Sequence, residues 1–88
     1  MNERYTVPPA VSFRQVGEEM FLLNRHESTV FNLNPTATFI WNEIAGGESV
    51  ETIIEHLCTM YDTDRESASN DVHELIGSLI RKNMVEQM

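Results

Sequence analysis

Leu33-Asn34-Pro35-Thr36-Ala37-Thr38-Phe39-Ile40-Trp41 is the stretch where an extended chain turns into a helical one. Asn is a strong helix cap, because its side-chain oxygen accepts from first-turn amides that lack a partner inside the helix. Pro at the first helical position loses no hydrogen bond and already holds the helical φ. Ala37, Ile40, Trp41 and Ile44 then share one face at 3.6-residue spacing. Immediately before the cap, Thr29 to Leu33 is β-branched and aromatic, with Thr29, Phe31 and Leu33 on one face of a strand and Val30 and Asn32 on the other.

Working back from that strand, Arg25-His26-Glu27-Ser28 is a polar turn. Glu19 to Asn24, with Met20, Phe21, Leu22 and Leu23, is a short apolar run suited to a central strand. Gly17-Glu18 offers another turn, and Val11-Ser12-Phe13-Arg14-Gln15 alternates apolar and polar residues, the period of a half-buried strand. Pro8 and Pro9 keep the residues ahead of it extended. Three short strands joined by tight turns make an antiparallel meander.

Working forward, Gly46-Gly47 stops the first helix, since glycine takes the left-handed C-terminal conformation without penalty. Ser49 caps a second helix, and Glu51 sits in its first turn, where negative charge suits the dipole. Val50, Ile53, Ile54, Leu57 and Tyr61 are its apolar positions. Asp62-Thr63-Asp64 is a connector whose Asp64 caps a third helix running to about Lys82. Ala68, Val72, Leu75, Ile76, Leu79 and Ile80 form the apolar face of that helix, and Asn83, which tolerates the left-handed conformation, ends it. Met84-Val85 is an apolar tail that returns to the core. The expected fold is therefore α+β: a three-stranded antiparallel sheet followed by three helices, β-β-β-α-α-α, in one domain spanning residues 1–88.

The bulk numbers narrow the partners. The chain has 88 residues, 41% of them hydrophobic and 23% charged, as expected of a globular domain rather than a disordered one. A domain this small buries only about 60% of its unfolded surface, so docking or self-association would steady it. Fourteen acidic against six basic residues give a formal charge of −8. Nucleic-acid binders draw most of their affinity from Lys and Arg on phosphates, so neither a nucleic acid nor an anionic membrane surface is expected; a simpler role for the charge is solubility. No apolar run approaches the ~18 residues of a membrane span, and no signal-peptide core follows Met1-Asn2-Glu3-Arg4, so a cytoplasmic location is expected.

Catalytic equipment is not apparent. His26, His56 and His73 lie on different elements without an HExxH or a Cys pair, so no metal site is expected. The four glycines form neither GxGxxG nor a P-loop, and no cofactor is expected. Cys58, the lone cysteine, falls in a helical pattern and reads as a small hydrophobe. Phe21, Phe31, Phe39, Trp41 and Tyr61 all occupy positions compatible with core packing. No catalytic residue is nominated, and an enzyme is not expected.

The segment Leu33 to Trp41 resembles the "LN-x-T-A-x-x-I-W" signature of the PqqD-like family, also called RiPP precursor-peptide recognition elements. The similarity continues in register. Ile44-Ala45-Gly46-Gly47 resembles the family's "hydrophobic-x-G" helix stop, and Ser49-Val50-Glu51-Thr52-Ile53-Ile54 its "T-V-E-E-I" helix start. Leu57 to Tyr61 matches "L-x-x-x-Y", and Asp71-Val72 through Leu75-Ile76 to Leu79 matches "D-V-x-x-F-L-x-x-L". With Val11 to Asn24 fitting the opening strands, the resemblance covers roughly residues 10 to 86. The chain departs from the pattern at Asn83, where glycine is frequent, and at Leu75, where Phe is common and a peptide pocket would change shape.

The resemblance implies a winged helix-turn-helix-like fold and a non-catalytic adaptor. Such a protein binds the leader of a ribosomally made precursor and presents it to a modifying enzyme, such as a radical-SAM enzyme, or to a leader peptidase or cyclase. The leader would add as a strand to the third strand, Thr29, Val30, Phe31, Asn32 and Leu33, and lie beside the third helix. Because the centre of that helix's stripe must face the core, only its margins remain for a ligand; the flank carrying Asp71, Leu75 and Ser78 is the expected wall, with the Ile80 margin as the alternative. The third strand carries no acidic residue, and a bare edge is an aggregation liability that proteins normally blunt, so its exposure suggests use. The same edge could instead pair with a second copy as a homodimer. Two other functions fit the fold: a winged-helix DNA-binding regulator, and a structural subunit of a larger enzyme. The DNA reading needs a basic recognition helix, yet Glu66 to Leu79 contains Asp71 and Glu74 and no Lys or Arg.

Overall fold

The cap at Asn34 forms as its chemistry requires. In the computed structural model, which describes residues 3–88, Asn34 Oδ1 accepts from the Ala37 amide at 2.8 Å. The chain then runs as a helix from Pro35 to Ala45. Ser49 Oγ accepts from the Thr52 amide at 3.2 Å and Asp64 Oδ1 from the Ser67 amide at 2.7 Å, so all three helices start on a side-chain cap. That bond holds the Asp64 carboxyl below its ordinary pKa, since the charged form is the better acceptor. Asn34→Ala should therefore destabilise the domain by about 1 kcal/mol, read as a lower denaturation midpoint. An unchanged midpoint would show that the cap contributes nothing.

In chain order the elements are β1 (Tyr5–Thr6), β2 (Val11–Val16), β3 (Glu19–Asn24), β4 (Thr29–Leu33), α1 (Pro35–Ala45), α2 (Val50–Tyr61), α3 (Arg65–Arg81) and β5 (Glu86–Gln87). Strands β2, β3 and β4 form the expected antiparallel meander with β3 in the middle. Met20 lies opposite Leu33, and Leu22 opposite both Phe31 and Phe13. One face of the sheet packs on the helices, with Val11, Met20, Leu22 and Leu33 meeting Ile40, Trp41, Ile44, Ile53, Ile54, Leu57, Val72, Ile76 and Leu79 in one core.

Helix ends follow backbone geometry. Gly47 takes φ +89°; its amide reaches Ile44 O and the Glu48 amide reaches Glu43 O, the double bond of a Schellman stop. Asn83 at φ +56° closes α3 in the same way: its amide donates to Ile80 O and the Met84 amide donates to Leu79 O. Met84 and Val85 then turn back and are buried, as expected of the apolar tail.

Two features lie outside the sequence reading. Residues Tyr5–Thr6 and Glu86–Gln87 pair as a second, two-stranded sheet that joins the ends of the chain. Asn24 is buried in the β3–β4 corner: its Nδ2 donates to Asn83 O at 2.8 Å, and its Oδ1 accepts from the His26 and Glu27 amides. This side chain ties the end of α3 to the corner that leads into β4.

Several burial expectations need correction. Phe21, expected at a core-compatible position, is 41% exposed beside Leu23 at 39%, whereas Met20, Leu22 and Asn24 on the other face of β3 are buried. The helices form a single layer, so only one side of the sheet is covered. Tyr61 is also exposed rather than core, packing edge-on against Phe39 with centroids 5.9 Å apart. Ile80, on the margin of the α3 stripe, faces solvent as well.

Candidate functional site

Two local facts bring a strand edge and a helix flank together. β4 runs directly into the Asn34 cap, and the buried Thr38 Oγ1 donates back to Leu33 O at 3.3 Å, so the end of β4 and the first turn of α1 form one corner. α3 packs with Ala68, Val72, Ile76 and Leu79 fully inward, which turns Asp71, Leu75 and Ser78 towards that corner.

Between them lies a groove of about 360 Å³ lined by Asn34, Thr36, Ala37 and Ile40 from the α1 side and Asp71, Glu74, Leu75 and Ser78 from α3. All three α3 residues expected from the sequence are in this lining. Sequence reasoning missed Asn34, Thr36, Ala37, Ile40 and Glu74. A signal was present in Thr36 and Ala37, whose small side chains sit where a bulky residue would close the groove.

The five residues of β4 do not line this groove; they form the strand leading to it. β4 pairs only with β3, and its other edge has no strand partner among the described residues. Val30 and Asn32 are exposed, while Phe31 and Leu33 face inward, Leu33 fully and Phe31 partly. The Lys82 ammonium stands over the Phe31 ring at 5.3 Å, so the last turn of α3 meets the middle of β4.

Charge varies along α3, from the carboxylates on the groove to cations beyond its end. Asp71 and Glu74 stand on its lining with no cation bonded to either, whereas Arg81 donates to Ser78 Oγ at 3.1 Å and Lys82 follows at the end of the helix. An extended segment along α3 would pass carboxylates first and cations last. Its main chain would meet a free strand edge and its side chains an apolar floor of Ala37, Ile40 and Leu75. This arrangement suits binding of an extended peptide.

No group of three or more His, Cys, Asp and Glu residues placed to hold a metal occurs among the described residues. His56 instead pairs with Glu43 across the α1–α2 contact, and that acceptor raises its pKa. His73 bonds back to Ser69 within α3. No helix among the described residues is long and apolar enough to cross a membrane.

The family model "Coenzyme PQQ synthesis protein D (PqqD)" matches residues 19–85, from the start of β3 to the buried tail. No curated protein matches the chain. Among solved structures, "TbiB1 in Complex with the TbiA(beta) Leader Peptide" superposes with a TM-score of 0.88 at 26% identity, covering 92% of this chain and 94% of that one. "Lasso peptide synthetase B1 complexed with the leader peptide" superposes with a TM-score of 0.86 at 26% identity, covering 94% and 98%. Both of those chains were captured with a leader peptide bound.

Proposed function

The chain belongs to the coenzyme PQQ synthesis protein D (PqqD) family, and from that premise we propose that it is a non-catalytic adaptor that binds the leader segment of a ribosomally synthesised precursor peptide. The leader adds as a strand to the free edge of β4, over Thr29, Val30, Phe31, Asn32 and Leu33. Part of it rests in the groove flanked by Asp71, Leu75 and Ser78. The observation that carries the reading is the junction of an unpaired strand edge with that groove, in a fold shared along nearly its whole length with two leader-bound chains.

The physics of capture is main-chain pairing plus side-chain selection. A free strand edge presents N–H and C=O groups at strand spacing, which any extended peptide can satisfy, and the flanking groove supplies the discrimination. The charge order along α3 favours a leader with a basic residue beside Asp71 and Glu74 and an acidic one beyond the groove, near Arg81 and Lys82. The bound precursor is then presented to its modifying enzyme, such as a radical-SAM enzyme, or to a leader peptidase or cyclase. A DNA-binding role is disfavoured by the charge of −8 and by the carboxylates on the outer flank of α3.

The test is a titration of the fluorescently labelled leader of a cognate precursor into the protein. Saturable binding that an excess of unlabelled leader displaces supports the adaptor. Absence of binding, with a shift of double-stranded DNA at low salt instead, would replace it by the regulator. Within this assay Asp71→Arg should weaken leader binding about fivefold, the effect of about 1 kcal/mol at an exposed charge, while the melting curve stays put. Unchanged affinity would place the basic end of the leader elsewhere.

A further inference from the structure

The face of the sheet turned away from the helices carries a cluster of exposed apolar side chains beside Ser12, Arg14, Glu19 and Asn32, and no described residue covers that cluster. Phe21 and Leu23 of β3, Val16 of β2 and Val30 of β4 stand on it, 39–63% exposed. Leu23 lies opposite Val30 and Phe21 opposite Arg14, so these side chains form one contiguous field. A shallow depression of about 260 Å³ opens between Ser12, Arg14, Phe21 and Leu23. Arg14 is in this field and makes no hydrogen bond or ion pair with any described residue, whereas Arg4, Arg25, Arg65 and Arg81 each bond a neighbour. An unpaired guanidinium among exposed apolar side chains calls for an acidic group on whatever covers it.

We propose that this face is the docking surface for the enzyme that receives the bound precursor, through an apolar patch on that enzyme carrying a carboxylate for Arg14. The proposal rests on leader capture at β4 and extends it. Successive side chains of a strand point to opposite faces of its sheet. A leader added beside β4 would send half its side chains towards α3 and the other half to the same side as Phe21, Leu23 and Val30. The enzyme's footprint would thus run from the sheet onto the leader without a break, and loading the domain with leader would enlarge the surface the enzyme grips.

A second copy is the poorer occupant. Three strands of about six residues offer roughly 300 Å² of flat face, well short of the ~800 Å² per partner of a stable interface. Two chains of charge −8 also repel.

The experiment titrates the peptide-modifying enzyme that processes the cognate precursor into the full chain, with and without saturating leader. The proteins compared are wild type, the double variant Phe21→Ser/Leu23→Ser, and Arg14→Glu. Both variants change exposed positions outside the groove, so melting curves and leader affinity should stay at wild-type values, which labelled leader checks directly. Enzyme affinity should fall at least about tenfold in each variant, and leader should tighten enzyme binding to wild type. Wild-type enzyme affinity in both variants overturns the proposal, as does a wild-type protein that does not bind the enzyme at all. A wild-type dimer in light scattering that the double variant dissolves would assign the face to a second copy instead. Should leader fail to bind while enzyme docking still depends on Phe21 and Leu23, the leader reading falls and the docking face stands.

Discussion

Trp41→Ala should leave the domain unfolded or barely folded. The side chain is the largest in the core, has no solvent exposure, and meets the Phe13 ring edge-on at a centroid distance of 5.3 Å. Truncating a buried aromatic costs about 3–5 kcal/mol, against about 5–15 kcal/mol for a whole domain, with small ones near the bottom. At about 4–8 °C per kcal/mol for a chain of this size, the melting temperature should drop by at least about 12 °C. Trp41→Phe should be far milder. The indole N–H is buried with no acceptor among the described residues, and phenylalanine keeps ring contact while removing that unpaired donor. Because Trp41 is the single tryptophan, the folded protein should emit at blue-shifted wavelengths. A solvent-like emission maximum, or equal losses for the two substitutions, would contradict the packing described.

Ala37→Trp should remove leader binding, by at least about tenfold and a corresponding 1.4 kcal/mol. Ala37 lines the groove opposite Leu75, and an indole there would occupy the space an extended peptide needs. Ala37 is partly buried against the core, so a melting curve must accompany the titration. Hydrogen exchange supplies the second measurement on the unaltered protein. In an antiparallel strand the amides alternate between the two edges, so every other amide from Thr29 to Leu33 faces the open side of β4. Those amides should slow markedly when leader is added, whereas amides paired to β3 should change little. A folded Ala37→Trp protein that binds leader normally would move the site out of this groove, and unchanged exchange along β4 would remove strand addition as the mechanism.

The proposed leader edge and the proposed docking face meet along β4. Asn24 makes that arrangement possible, because its bonds to the β3–β4 corner and to Asn83 hold the end of α3 against β4. Lys82 over Phe31 adds a second tie at the same place. The groove wall and the strand edge are positioned by buried or half-buried contacts rather than by a loop, which suits the proposed capture of an extended peptide.

Much of this protein is local and was readable from its residues alone. Asn34, Ser49 and Asp64 start helices and Gly47 and Asn83 end them by bonds that span three to five residues. The strands Glu19–Asn24 and Thr29–Leu33 follow from composition and alternation between clear turns. Helical spacing left two margins of α3 outside the core stripe, and the structure puts Asp71, Leu75 and Ser78, on one of them, in the lining of the groove. Tertiary structure decided the rest, because burial depends on what other elements cover. Phe21 and Leu23 look like core in sequence and are exposed because the helices supply only one layer. The pairing of β1 with β5 joins residues some 80 positions apart through strands of two residues, too short to show any period. The groove likewise needs Ala37 and Glu74, on two helices whose approach is set by packing rather than by any spacing along the chain.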